Sequence, residues 1–385
     1  MSKKFPIIIL ILTVMLTGCF PSGEPKRSST PETSAANNTG TQDSGGVSEP
    51  AAFSVPNDLE HVKLDVKLPE NYPTELPVIK AKMHRFDDEE EQEKIISVLC
   101  GDKEIKTGDY GELYTDDGEE LIFRDTHFSY HLIHRYTGNE EKQLIYDIQK
   151  TASYDANELY MRYPNINSEL EGFPRSEAKQ RADELIEKLG IKYLGEPTIY
   201  TFTSEDVKVN VQGRLTTGGK EGGGDPIDIS LPKEEQFYLL RYVTTYNDIP
   251  VIYGSGIDVF GGVYQTSSYV DIMLTKNELV DLGCNEVYDE LEADGTTKIN
   301  CSAEDVVGKL YDYYSIRDRG MEYALEYYDL DFAYITYTVN SNTGDITYKP
   351  LWYATGQYVS LENGGRRHDY KFIDPATGLV FDAGD

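Results

Sequence analysis

"SEAKQRADELIEKLG", Ser176 to Gly190, carries the clearest periodicity in the chain. Ala178, Ala182, Leu185, Ile186 and Leu189 fall at i, i+4, i+7, i+8 and i+11, which sets the apolar residues on one face of a helix. Ser176 is placed to cap its start, and Gly190 to end it in the left-handed conformation. Downstream the period changes. "PTIYTF", "VKVNVQ", "FYLLRYVTTY", "IPVIYG" and "SSYVDIML" are rich in β-branched and aromatic residues and read as strands. The same plan returns 126 residues later, where "SAEDVVGKLYDYY" opens with Ser302 and Asp305 in capping-box spacing. The strand patterns "FAYITYTV", "ITYKPLWYA", "HDYKFID" and "LVFDA" follow, with turns at residues 342–345 and at "DPATG". A helix followed by an antiparallel meander, used twice, predicts an α+β fold in which each sheet is packed by a helix.

Upstream, "DDEEEQEKIISVLCG" reads as a helix with Asp87 or Asp88 as cap and Gly101 as stop. "ELIFRDTHFSYHLIHRY" and "KQLIYDIQKTASYDANELYMRY" read as strands. Three folded segments are therefore expected: an N-terminal α+β domain over 56–172 and two helix-plus-meander units over 173–300 and 301–385.

The N-terminus has a different logic. Lys3 and Lys4 precede an apolar core, Ile7 to Leu16, which is shorter than the roughly 20 residues of a spanning helix and fits an export signal over 1–18. It ends in "LTGC", Leu16 to Cys19, which resembles the lipobox of bacterial lipoproteins in all four positions. That resemblance implies diacylation of Cys19, and two acyl chains on one residue give a stable anchor where one does not. It also implies the outer face of the cytoplasmic membrane, in the manner of a Gram-positive cell. Residues 19–55 are Ser, Thr, Pro, Gly and Asn rich and cannot bury enough apolar surface to order themselves, so they read as a disordered tether.

The helix-plus-sheet segments also resemble a known group. "SEAKQRADELIEKLG" with "YLLRYVTTYNDIPVIYGSGIDVF", and "SAEDVVGKLYDYY" with "YKPLWYATGQYVSLENG" and "FIDPATGLVFD", are similar to PepSY modules and related extracytoplasmic regulators of a wall-stress histidine kinase. The resemblance covers about residues 173–385 and implies PepSY/cystatin-like repeats. Its motifs are Asn247-Asp248-Ile249-Pro250-Val251, Pro350-Leu351-Trp352 and Asp374 to Val380, which serve turns and core rather than catalysis. The "GRLTTGGKEGGGDP" insertion and the Asn247-Asp248 turn depart from the pattern, and no functional residue is carried over.

Charge and chemistry narrow the function. With 36 basic against 67 acidic residues, the net charge of −31 lacks the basic footprint that nucleic acid requires. Beyond Cys19 the cysteines are Cys100, Cys284 and Cys301; a Cys284–Cys301 bridge is open geometrically across a turn at Asp294-Gly295, with free thiols as the alternative. No H-E-x-x-H, G-x-S-x-G or Cys-x-x-Cys is present, no cofactor is implied, and "GRLTTGGKE" and "ELEADGTTKINC" each lack a residue that a phosphate loop or a calcium loop needs. His127, His131 and His134 would share a face only on a helix, and the alternation around them favours the wet face of a sheet over a metal site. The acid pairs Asp116-Asp117 and Asp329 with Asp331 have no distinguishing context among 67 acids. Thirty tyrosines suggest an aromatic sheet surface suited to recognition. The expectation is a lipid-anchored, non-enzymatic binding or regulatory protein with a protein or peptide partner. A wall-associated glycan-binding protein or hydrolase with a carboxylate- and tyrosine-lined cleft is the alternative.

Overall fold

The computed structural model describes residues 58–134, 137–157, 165–211, 231–253, 266–339, 345–361 and 366–381. The export signal, Cys19, residues 19–55, the "GRLTTGGKEGGGDP" insertion and most of the turn at 342–345 lie outside the described residues. In chain order, β1 (Val62–Lys67) and β2 (Glu75–Met83) lead into α1 (Glu89–Cys100), β3 (Lys106–Thr107), β4 (Leu113–Tyr114), β5 (Glu119–Phe123) and β6 (His127–Leu132). Helices α2 (Glu140–Asn157) and α3 (Arg175–Leu189), strand β7 (Thr198–Phe202) and helix α4 (Ser204–Val211) come next. Then follow β8 (Phe237–Val243), β9 (Thr245–Tyr246), β10 (Ile249–Tyr253), β11 (Thr266–Ser267), β12 (Tyr269–Thr275), β13 (Leu279–Asn285) and β14 (Tyr288–Lys298). The chain closes with α5 (Ala303–Ser315), β15 (Tyr323–Val339), β16 (Asp345–Ser360), β17 (Arg366–Ile373) and β18 (Val380–Phe381).

These strands form two sheets, and the α+β class with extensive antiparallel pairing holds. The first sheet runs β3-β4-β5-β6-β13-β12-β8-β7 and is covered on both faces. On one face, α1 and α3 set Ile95, Ala178 and Ala182 against Leu121, Phe128, Leu240, Ile272 and Leu282. On the other, α2 and α4 set Ile148, Ala152, Val207 and Val211 against Phe237, Leu239 and Met273. Covered on both sides, β12 is buried at six consecutive positions, Val270 to Thr275, with no alternation.

The second sheet is built on the long β15–β16 hairpin. β1 and β10 run parallel to β15 at its two ends, so this sheet is mixed. β17 and β2 flank β16, and β14 pairs with β2. Along β16 burial alternates strictly from Ile346 to Gly356, which turns one face toward α5. There Val306, Val307 and Leu310 meet Leu325, Trp352 and Ile373.

Several local expectations are corrected. "KQLIYDIQKTASYDANELYMRY" is helical in its described part, as α2. The Asn139 side chain accepts from the Lys142 N–H, and Ile145, Ile148 and Ala152 share a face at i, i+3 and i+7, so spacing outweighs the β-rich composition. "VKVNVQ" belongs to α4 rather than a strand: Thr203 Oγ1 accepts from the Asp206 N–H while Asp206 accepts from the Thr203 N–H. That reciprocal cap is the one seen at Ser302 and Asp305. Ser176 is not the cap of α3, which starts after Pro174, with the Glu169 carboxylate accepting from the Arg175 N–H at 2.6 Å. Gly190 does stop the helix, at φ +75°. Asp294-Gly295 is not a hairpin turn; Ala293 pairs Ile79 and Thr296 pairs Pro77, so two residues oppose Val78 in a bulge with Gly295 at φ +96°.

The divisions at 172/173 and 300/301 do not separate the sheets. β6 pairs with β13, β2 pairs with both β14 and β16, and all these strands lie in one compact unit, Phe53–Asp385.

Candidate functional site

The unusual feature of the first sheet is charge within its α2-facing surface. Cross-strand register sets Glu120, His131, Asp281 and Met273 in one row, and Ser129, Gly283, Asp271 and Arg241 in the next. Asp281 opposes Met273 and Asp271 opposes Gly283, so the two aspartates are diagonal neighbours, about 7–8 Å apart at Cα.

Each aspartate is held by cations. Arg241 donates from Nε at 2.9 Å and from its terminal nitrogen at 2.7 Å to the two oxygens of Asp271, a forked pair, and its guanidinium lies 5.1 Å from the Tyr269 ring centre. Asp281 meets His131 Nδ1 at 2.6 Å, accepts from Lys150 Nζ at 2.8 Å on both oxygens, and accepts from the Tyr146 hydroxyl at 3.2 Å. Burial alone would raise the Asp281 carboxyl; the His131 hydrogen bond and the Lys150 charge overcome it and hold the group below its ordinary value. Burial likewise opposes the charge on Arg241, and Asp271 more than restores it. Both carboxylates are thus fixed in position, and Asp281 is held in its ionised form. Glycosidase chemistry needs one carboxyl to hold a proton, and the His131 and Lys150 contacts of Asp281 are arranged against that.

Two further groups edge this belt. Beside α2 a shallow pocket is lined by His134, Lys142, Tyr146, Gln149, Glu235 and Glu278 among others. Burial and then the nearby Glu278 raise the Glu235 carboxyl, whereas burial lowers His134. At the other end stands Glu286, a non-glycine residue at φ +52° where the chain passes from β13 to β14. Its N–H donates to the Thr126 carbonyl at 3.0 Å. Its Oε2 is buried without a hydrogen-bond partner among the described residues, and burial pushes the carboxyl up to about 7.

The histidines expected on a wet face are divided. His127 is exposed, His131 is drawn under α2 by Asp281, and His134 is buried beyond the end of β6. Among the described residues no three His, Cys, Asp or Glu side chains converge as a metal would require. The acid pairs face no cleft: Asp116 binds Lys106, Asp117 binds Lys103, and Asp329 and Asp331 are exposed. Cys284 is buried in the core of the first sheet and Cys301 borders that of the second; with Cys100, both are free thiols.

Nine tyrosines among the described residues leave the surface. Tyr130, Tyr238, Tyr242, Tyr288, Tyr314, Tyr327, Tyr334, Tyr348 and Tyr370 are buried. Several of their hydroxyls are joined inside: Tyr288 to Tyr348 at 2.5 Å, Tyr314 to Tyr327 at 2.6 Å, Tyr327 to Asp369, and Tyr242 to Asp183 at 2.8 Å. Tyr353 stacks on Tyr370 and on Phe372 with interplanar angles of 11° and 20°, so these rings spend their faces on one another. Tyr200 of the first sheet lies near enough to Tyr370 of the second to disfavour its ionisation, after the larger effect of burial.

The belt residues Arg241, Asp271 and Asp281 carry a signal in the sequence. "LLRYV", "YVDIM" and "LVDLG" each hold one charge among apolar neighbours, and a lone charge in a buried strand demands a partner.

No family model matches the chain, and no curated protein does. A solved structure does: an uncharacterized protein from Eubacterium rectale ATCC 33656, 14% identical, with a TM-score of 0.57 over 85% of this chain and 92% of that one. At that identity the likeness is one of fold, and it spans both sheets.

Proposed function

We propose that this chain is a lipid-anchored extracytoplasmic binding protein that acts on a protein or peptide partner near the membrane, held there through diacylated Cys19. The observation that carries this reading is the locked state of the charged belt. Arg241–Asp271 and Asp281 with His131 and Lys150 fix shape and charge, which serves recognition, and Asp281 is held as a carboxylate rather than as a proton donor. The stacked Tyr353, Tyr370 and Phe372 also withhold the ring faces that a sugar would use, which weighs against the glycan alternative.

The finer assignment to PepSY-type units is part of the same proposal. It is supported by the reciprocal Ser302–Asp305 cap, by Trp352 fully buried under α5, and by Asp374 Oδ1 accepting from the Ala376 and Thr377 N–H groups in the closing turn. The test is affinity capture from a membrane extract by the soluble part from Ser54 onward. A reproducible protein partner is expected; retention on peptidoglycan with no protein partner would contradict the reading.

A further inference from the structure

The end of the second sheet where the tether joins has a composition unlike the rest of this acidic chain. Asp318 is buried at 5% exposure and turned inward, and its two oxygens accept from the Glu60 and His61 N–H groups at 2.6 and 2.7 Å. It therefore pins the first described residues after the tether to the turn that follows α5. The residues around it point outward. Ile316 is 80% exposed, and Arg317 and Arg319 are exposed. Arg317 is braced by its own turn: it donates to the Tyr313 carbonyl at 2.9 Å and lies 3.7 Å from the Tyr313 ring centre. Leu361, 58% exposed, follows Ser360, which pairs with Tyr323 at this same end. Among the described residues the acids here are Asp58, which accepts from Tyr311, and the exposed Glu60, Asp312 and Glu322; none lies between Ile316 and Arg319 except the inward Asp318.

We propose that this tip, Ile316 with Arg317 and Arg319 and with Leu361 at the same end of the β15–β16 hairpin, rests on the phospholipid headgroup surface to which the tether leads. Aliphatic side chains at headgroup depth with arginines reaching anionic phosphates are the composition of an interfacial contact. Two arginines give only weak attraction by themselves. The tether changes that. On the lipoprotein reading, residues 19–55 would act as a flexible tether with a span of about 35 Å root-mean-square, and such tethering would raise the effective concentration of the surface to about the millimolar range, where a weak contact is occupied. The inference rests on the lipoprotein reading, and it orients the folded unit so that the far ends of β15 and β16 point away from the bilayer.

The test uses the full chain with Ile316→Trp, after an intact-mass measurement of lipid on Cys19. The chain is reconstituted in phosphatidylglycerol and phosphatidylcholine vesicles with and without brominated acyl chains. Trp352 is fully buried and gives a constant background. Quenching of the new emission by about twofold is expected. It should be lost when Arg317→Glu and Arg319→Glu are added, and absent for Tyr110→Trp, at a site 96% exposed in the β3–β4 turn. Equal emission with and without bromine, or equal quenching at position 110, would overturn the proposal. If Cys19 carries no lipid, the premise fails separately. The compact unit, produced from Ser54 with an N-terminal oligohistidine and held on nickel-chelating lipid, then gives the same two outcomes for the tip.

Discussion

The two sheets solve one problem, polar groups inside a core, in different currencies. The first, covered on both faces, sets charged groups under its helices and pairs them: Arg241 with Asp271, and Asp281 with Lys150 and the His131 ring. The second, with one helix over one face, pairs buried tyrosine hydroxyls with one another, Tyr288 with Tyr348 and Tyr314 with Tyr327, and leaves that of Tyr334 without a hydrogen-bond partner among the described residues. Ion pairs in low dielectric are costly to break and sensitive to register, since a one-residue slip of β12 against β8 would send Asp271 to the opposite face from Arg241. Hydroxyl pairs are cheaper and more forgiving. The first sheet is therefore the rigid half of the comparison, and it is where recognition is proposed.

The largest effect should come from breaking a charge cluster. Asp281→Asn leaves Lys150 and His131 without their carboxylate and is expected to cost about 3–5 kcal/mol in urea unfolding. Because the folded Asp281 value lies below its ordinary one, its contribution is present above about pH 4 and is lost as pH falls through the folded value. Glu286 has the opposite sign. Its value rises from 4.5 to about 7, so its contribution is complete below about pH 4.5 and is lost as pH climbs to 7. Discounted for its partial exposure, that loss is about 1–2 kcal/mol, and Glu286→Gln should flatten it in a stability profile over that window.

A smaller effect is expected in the second sheet. Tyr348→Phe should cost about 1 kcal/mol, and adding Tyr288→Phe should cost less than the first change, because the hydroxyl pair at 2.5 Å is already broken. A double-mutant sum much larger than the single would erase the contrast between the sheets. The smallest change probes what the two halves share: Thr203→Ala and Ser302→Ala should each lower stability by about 0.5–1 kcal/mol, since both remove the same reciprocal cap.

Legibility followed how local each signal was. α3 and α5 announced themselves by spacing, and the Ser302–Asp305 cap could be read from four residues. In α2 and α4 the β-rich composition of "LIYDI" and "VKVNV" points to strands, and the helical signal lies in their spacing and in the caps Asn139 and Thr203. The mixing of segments between sheets was not legible at all, because pairings such as β2 with β16 join residues more than 250 positions apart and leave no local mark. The belt lay between these cases. Lone charges in "LLRYV" and "LVDLG" told of buried partners without telling which. The tyrosines misled because their number is a property of composition and their direction a property of the fold.

The central claim is that the folded unit binds a protein at the membrane, and crosslinking of the full-length chain in intact cells tests it most directly. After capture and mass spectrometry, the account predicts reproducible crosslinks between the folded residues and one membrane or extracytoplasmic protein. Crosslinks confined to wall glycan, with no protein partner recovered, would contradict it.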